Sequence, residues 1–231
     1  MGLLKEWTRF EKTWLLTFTL INVYLFYAWS DSFLGLVSSI SGMLCVVLVA
    51  KGKIVNYYFG IVQTVTYAYI SYGYGLYGEA MLNALFYFPI QFIGIYLWSK
   101  NRTDSAVKGE DVKIKQLTKM GWIYTLFSVL VLTIAYGFFL KFLGGNNIWT
   151  DSATNVLSVT AQIMMIKRYT EQWLLWISVN ILSIFLWINV LLTQGGNDFA
   201  MLVMWSAFLV NSIYGYVNWN KLYRKQRQEV I

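Results

Sequence analysis

Apolar residues do not alternate along this chain. They run in long blocks, broken by short gaps where glycines, amides and charges collect. An α-helix needs about 20 mostly apolar residues to cross the hydrocarbon core of a bilayer, and about 17 still suffice. Eight blocks meet or approach that length: residues 13–29, 33–50, 54–72, 80–98, 120–143, 150–166, 173–193 and 199–219. The pattern predicts an all-α integral membrane protein of eight transmembrane helices. Lys5, Arg9 and Lys12 precede the first block and no small-residue cleavage site follows it. It therefore reads as an uncleaved helix rather than a secretory signal.

The gaps orient the spans, because cytoplasmic loops carry an excess of lysine and arginine. With the N-terminus inside, alternate loops collect 17 of the 18 cationic residues, leaving only Lys141 on the far side, while the opposite loops carry Asp31, Glu79, Asp151 and Asp198. A wrong helix count would scramble that asymmetry. Both ends are therefore expected in the cytoplasm. The longest inner loop, 101–119, mixes charge signs and reads as a solvated linker, with lipid head-group binding as the other reading.

Comparison of the chain with itself brings out a repeat. Ala50-Lys51-Gly52-Lys53-Ile54-Val55-Asn56-Tyr57 lies against Ile166-Lys167-Arg168-Tyr169-Thr170-Glu171-Gln172-Trp173, Ala80-Met81-Leu82 recurs as Ala200-Met201-Leu202, and Trp98-Ser99-Lys100 resembles Trp219-Asn220-Lys221. Chance matching of apolar helices is the competing reading. Spans two to four and six to eight then form two triplets around a linker helix, a 1+3+1+3 plan. With one helix between them both triplets run the same way, so they are parallel repeats with solute expected at their interface. The expected divisions are 1–31 (N-terminal segment and peripheral helix), 32–100 (first triplet), 101–149 (linker loop and helix), 150–220 (second triplet) and 221–231 (basic cytoplasmic tail).

Polar residues inside the triplet spans fall at helical spacing, so each set shares a face. The sets are Asn56, Gly60, Gln63 and Tyr67; Asn83, Tyr87, Gln91 and Gly94; Asp151, Asn155, Ser158 and Gln162; Trp173, Trp176, Asn180 and Trp187; and Asn211, Tyr214 and Asn218. Any one stripe fits hydrogen bonding between helices, worth about 0.6 kcal/mol per contact in a membrane. Five stripes confined to the two triplets fit a hydrogen-bonding, stacking path better. No Asp, Glu, Lys or Arg lies deep in any span, which argues against a proton relay or carboxylate-coupled ion. The path suits a neutral polar solute or a cation with delocalised charge, since an indole face attracts a cationic ring. Trp176 reads as a ligand; Trp173, near the inner interface, fits an aromatic belt equally well. Pro89, the chain's one proline, sits in the middle of span four, where the missing N–H suits either a gate or a static bend.

Composition narrows the chemistry further. The chain is 231 residues long, 58% hydrophobic, 19% aromatic and only 13% charged, so water is not its main solvent. The net charge of +7 is spread over short gaps rather than one exposed face, which excludes nucleic acid as a partner. There is no histidine, and the one cysteine, Cys45, lies in an apolar run and reads as packing. No metal, no cofactor and no catalytic group is expected, and an enzyme would need a nucleophile–base pair or metal cluster that is not visible. A seven-helix retinal receptor is disfavoured because the last span has no lysine before Lys221.

Thr154-Asn155-Val156-Leu157-Ser158 with Gln162, Glu171-Gln172-Trp173-Leu174-Leu175-Trp176 followed by Asn180, and Gln91-Phe92-Ile93-Gly94 leading to Trp98 resemble the PnuC-type nicotinamide riboside transporters of bacteria. The resemblance covers nearly the whole chain. It implies a homotrimer in the bacterial inner membrane with a fold similar to full-length SWEET carriers. Each protomer would pass nicotinamide riboside by facilitated diffusion, and intracellular phosphorylation would trap it. The absence of buried carboxylates agrees with uncoupled transport, and the indoles agree with a pyridinium ring. Carried over by motif, the ligand contacts are Gln91, Gln162, Trp173, Trp176 and Asn180; the stripes alone add Asn83, Tyr87, Asn211 and Tyr214. The multiple helix-kinking prolines of SWEET carriers are missing, so their gating is not carried over. A carrier of another vitamin riboside or of a sugar remains the alternative.

Overall fold

The computed structural model describes residues 7–29, 33–73, 80–102, 112–142, 148–194 and 199–228. Within them the backbone forms eight helices: α1 (Arg9–Trp29), α2 (Phe33–Ala50), α3 (Asn56–Gly73), α4 (Leu82–Lys100), α5 (Lys119–Phe142), α6 (Ile148–Ile166), α7 (Gln172–Gln194) and α8 (Phe199–Gln228). Each falls on one apolar block, and local chemistry moves the ends. α1 begins four residues early because Thr8 and Glu11 form a capping box: the Thr8 N–H donates to Glu11 Oε2 at 2.7 Å and the Glu11 N–H to Thr8 Oγ1 at 3.2 Å. α8 continues past Trp219 to Gln228, so residues 221–228 prolong a helix. By length and apolarity alone only α2, α4 and α5 qualify to cross a membrane among the described residues. Of the others, α3, α6, α7 and α8 carry polar stripes, which lower their apolarity.

α4 opens as a π-helix over Leu82–Tyr87, closed by the Phe88 N–H donating to the Asn83 carbonyl five residues back. Pro89 follows at once, at the first turn of the α-helical part. A proline there cannot donate backward, and the wider π-turn just before it gives the ring room inside a helix that continues to Lys100. The expected mid-span kink is thus a change of helical register.

The described lysines and arginines other than Lys141 collect at one end of the bundle, here the basic end, where two turns share one hydrogen-bond pattern. After α2, the Gly52 N–H donates to the Val49 carbonyl at 2.9 Å and that of Lys53 to Leu48 at 2.9 Å; after α6, Arg168 donates to Met165 at 2.9 Å and Tyr169 to Met164 at 3.0 Å. Gly52 and Arg168 both sit at φ 66. Glycine adopts that angle freely, whereas for arginine it costs about 1–3 kcal/mol. Arg168 is held there by its buried guanidinium, whose Nε donates to the Lys113 carbonyl at 3.0 Å and Nη1 to that of Leu97 at 3.2 Å.

The inner loop departs from the solvated linker that its mixed charge suggested. Residues 103–111 lie outside the described residues, but 112–118 form a packed strap across the basic end, with Val112 and Ile114 buried in the main core. The Lys115 N–H donates to the Arg168 carbonyl at 2.8 Å and the Thr170 N–H to the Lys115 carbonyl at 2.9 Å. Gln226 brackets the strap, its Oε1 accepting from the Ile114 N–H at 2.8 Å and its Nε2 donating to Val112 at 2.9 Å. Two apolar side chains at alternate positions and backbone partners for the N–H groups of residues 113, 114, 115 and 117 outweigh the loop's charge.

α5 packs against α6 and otherwise exposes apolar side chains, including Phe127, Leu130, Ile134 and Phe138; Gly137 is its buried residue. Helix α1, expected to stand apart, packs against α2 and α8.

Candidate solute path

The candidate path residues lie on α3, α4, α6, α7 and α8; α3 packs on α4 and α7 on α8, and the two groups touch through α2 with α8 and α4 with α6. Gln91 of α4 is buried over Gly60 of α3, and its Oε1 has no hydrogen-bond partner. Asn180 of α7 is buried and donates through Nδ2 to Ser212 Oγ of α8 at 2.9 Å. Gln162 of α6 and Asn83 of α4 are also buried. Trp173 is buried against Gly215 of α8, with its Nε1 unpartnered, while Trp176 and Tyr87 are half-buried. Pro89 is exposed on α4.

The α8 stripe divides. Asn211 Nδ2 donates to the Val46 carbonyl at 3.1 Å and Asn218 Nδ2 to that of Ala50 at 2.8 Å, so both zip α8 to α2. The Tyr214 hydroxyl donates to Glu11 Oε1 at 2.7 Å. These three make the helix–helix contacts that any single stripe permits, although Asn211 Oδ1 is left buried without a partner. Ser212, which the stripe passed over, faces Asn180 instead. The register that sets Trp98 against Trp219 and Gly94 against Gly215 also sets Gln91 against Ser212, one residue beyond Asn211.

Buried donors and acceptors without partners each cost about 1–3 kcal/mol, and native structures keep few of them. Here Gln91 Oε1, Tyr57 Oη, Trp173 Nε1 and both amide atoms of Gln172 are such groups. Trp14 Nε1, Asn56 Oδ1 and Glu171 Oε2 are further such groups among the described residues. Tyr57 escaped the stripes because the amide beside it, Asn56, drew the pattern; its repeat counterpart Trp173 was the available signal.

Glu11 was also missed. Its buried carboxylate takes the Lys51 ammonium at 2.7 Å besides Tyr214 and Thr8, and Lys51 lies 5.2 Å from the centroid of the Trp7 ring. The pair sits at the basic end, outside the path. At the same end burial pushes the Glu171 carboxyl up from its ordinary value, partly offset by backbone N–H donors including that of Leu117. Burial likewise lowers Arg168, with Tyr57 and Tyr169 opposing.

A bundle of apolar helices around buried amides and indoles, with no Asp, Glu, Lys or Arg deep in any described helix, fits a multi-pass membrane transporter. Residues 32–221 match the model of the family described as nicotinamide mononucleotide transporter, and the chain belongs to that family. It is 44% identical over 220 residues to a nicotinamide riboside transporter PnuC of Neisseria mucosa, covering 95% of this chain and 84% of that one. It is 43% identical to the PnuC of Haemophilus influenzae, covering 95% and 93%. A crystal structure of the vitamin B3 transporter PnuC superposes with a TM-score of 0.84 at 43% identity, covering 95% of this chain and 94% of that chain.

Proposed function

We propose that this protein carries nicotinamide riboside across the bacterial inner membrane by facilitated diffusion, without ion coupling, and that phosphorylation inside the cell traps the solute. The observation that carries the reading is a path of buried amides and indoles with no charge deep in any helix. The family description names the mononucleotide, whose phosphate carries about −1.5 to −2 charge and calls for arginine or lysine. Among the described residues the two buried cations are engaged, Lys51 with Glu11 and Arg168 with two carbonyls. That favours the riboside. Gln91, Gln162, Trp173, Trp176 and Asn180 are the proposed contacts, with Trp176 stacking on the pyridinium ring. Asn83 and Tyr87 line the entry on α4, and Pro89 with the π-helical segment forms a hinge. Asn211 and Tyr214 act by placing α8.

The 1+3+1+3 plan, similar to full-length SWEET carriers, is supported by the twin turns and by reciprocal bonds between triplets: Trp98 Nε1 donates to the Met165 carbonyl at 3.1 Å and Trp219 Nε1 to that of Val49 at 2.8 Å. The triplets span 32–100 and 150–220, joined by 101–149. Lysine and arginine at the basic end favour cytoplasmic termini. The outward apolar surface of α5 suits lipid or the neighbouring protomers of a homotrimer. Purified protein in mild detergent is then expected to show the mass of three chains, and a monomeric mass would remove the trimer.

The function is tested by uptake of labelled nicotinamide riboside into protein-containing and protein-free vesicles, with and without a proton or sodium gradient. Protein-dependent equilibration that ignores both gradients and excess mononucleotide is expected. No uptake removes the substrate; accumulation driven by a gradient removes uncoupled transport.

A further inference from the structure

We propose that Trp98 and Trp219 form the inner gate of the path, an assignment that rests on the two-triplet transporter reading. Both indoles are fully buried at the basic end, beyond Gln91 and Asn180, with centroids 6.0 Å apart. Each is braced within its own triplet by the aromatic that opens α3 or α7: Tyr57 meets Trp98 edge-on at 5.1 Å, and Trp173 meets Trp219 edge-on at 6.0 Å. The bracing rings lie in turn against Gly94 and Gly215, where any larger residue would collide with them. The four rings make one continuous layer from α3 through α4 and α8 to α7. Each gate indole then reaches across to the opposite triplet, Trp98 to the Met165 carbonyl at 3.1 Å and Trp219 to that of Val49 at 2.8 Å.

A static seal is served by apolar packing alone, whereas this one is closed by two bonds that can release without leaving a buried orphan. Val49 and Met165 each accept a second hydrogen bond, from Gly52 and Arg168 at 2.9 Å, so both carbonyls stay satisfied when the indoles withdraw. The freed indole N–H groups would turn into a path already wet enough to carry a polar solute. Relative motion of the triplets must break both bonds together, which makes the pair a two-state element.

Cys45, the chain's one cysteine, reports the gate. It lies on α2 one turn before Val49, half-buried and packed against this cluster. The test is modification of Cys45 by a charged, membrane-impermeant methanethiosulfonate in sealed inside-out and right-side-out vesicles. Trp98→Phe and Trp219→Phe, which keep a ring and lose the N–H, are each expected to raise the inside-out rate about fivefold, the shift in open population expected from one lost hydrogen bond. The right-side-out rate should not rise. Folded variants with wild-type rates on both sides overturn the gate, because a packing role lowers thermal stability without opening one side. If the variants do not fold, the wild type carries the test: saturating nicotinamide riboside must raise its inside-out rate, and an unmoved rate overturns the gate. Absence of wild-type uptake would instead remove the transporter reading itself.

Discussion

At the scale of single residues, the basic end is held by side chains whose roles depend on neighbours far away in sequence. Glu171 is one. It is buried between the strap and the start of α7, with Oε1 accepting from the Leu117 N–H at 3.1 Å and Oε2 buried without a partner. Burial raises its folded pKa above the ordinary value of 4.5, so the folded protein binds the proton more readily than the unfolded chain. Stability is therefore greatest below the ordinary value and declines as pH rises from there through the raised one. Glu171→Gln keeps the accepting oxygen and sheds the charge. It is expected to flatten this decline and raise the melting temperature at neutral pH, measured by thermal unfolding in detergent across pH 4–8. Parallel pH curves for the two proteins would show that Glu171 is not the titrating group.

At the scale of elements, helical periodicity told which residues share a face but not which neighbour that face meets. The blocks from 13 to 219 were legible because long apolar runs separated by short polar gaps set each helix apart in the sequence. The likeness of the two basic-end turns was legible from the matching of residues 50–57 with 166–173. The division of the α8 stripe was not, since Asn211 and Ser212 are adjacent and only packing against α2 and α7 separates them. The π-helical start of α4 was not legible either, because its one-residue register change leaves no compositional mark beyond Pro89. Close approach of α3 and α4 rests on Gly60, over which the Gln91 amide lies. Gly60→Ala would put a methyl group into that amide. Because the obstacle is the end of a flexible side chain, the helices hold while Gln91 is displaced. Affinity for the riboside is expected to fall about tenfold, as for a lost hydrogen bond of about 1.4 kcal/mol, with little change in melting temperature. Unchanged affinity by calorimetry would take Gln91 out of the site.

At the scale of the whole molecule, the surprise lies in α1. The family model begins at residue 32, so this helix lies outside the matched segment, and the sequence placed it at the periphery. Yet it carries the buried end of an ion pair whose other end, Lys51, opens the turn between α2 and α3, and the same carboxylate takes the Tyr214 hydroxyl of α8. The sequence hid this because Glu11 stands among Arg9 and Lys12 at a span's edge, where a charge normally meets water. Removing one partner of a buried pair costs about 3–5 kcal/mol, since the remaining charge stays desolvated. On the proposed topology, deleting residues 2–30 would also remove one crossing before the first basic turn, against the charge bias expected to orient the chain. The truncated protein is therefore expected to lose its monodisperse peak in detergent. Glu11→Ala in the full chain separates the two causes. It keeps the crossing and should lower the melting temperature, and Lys51→Met added to it should recover much of the loss. A truncated chain as stable as the full one would return α1 to the periphery. A Glu11→Ala protein that melts like the wild type would instead show that α1 matters through topology alone.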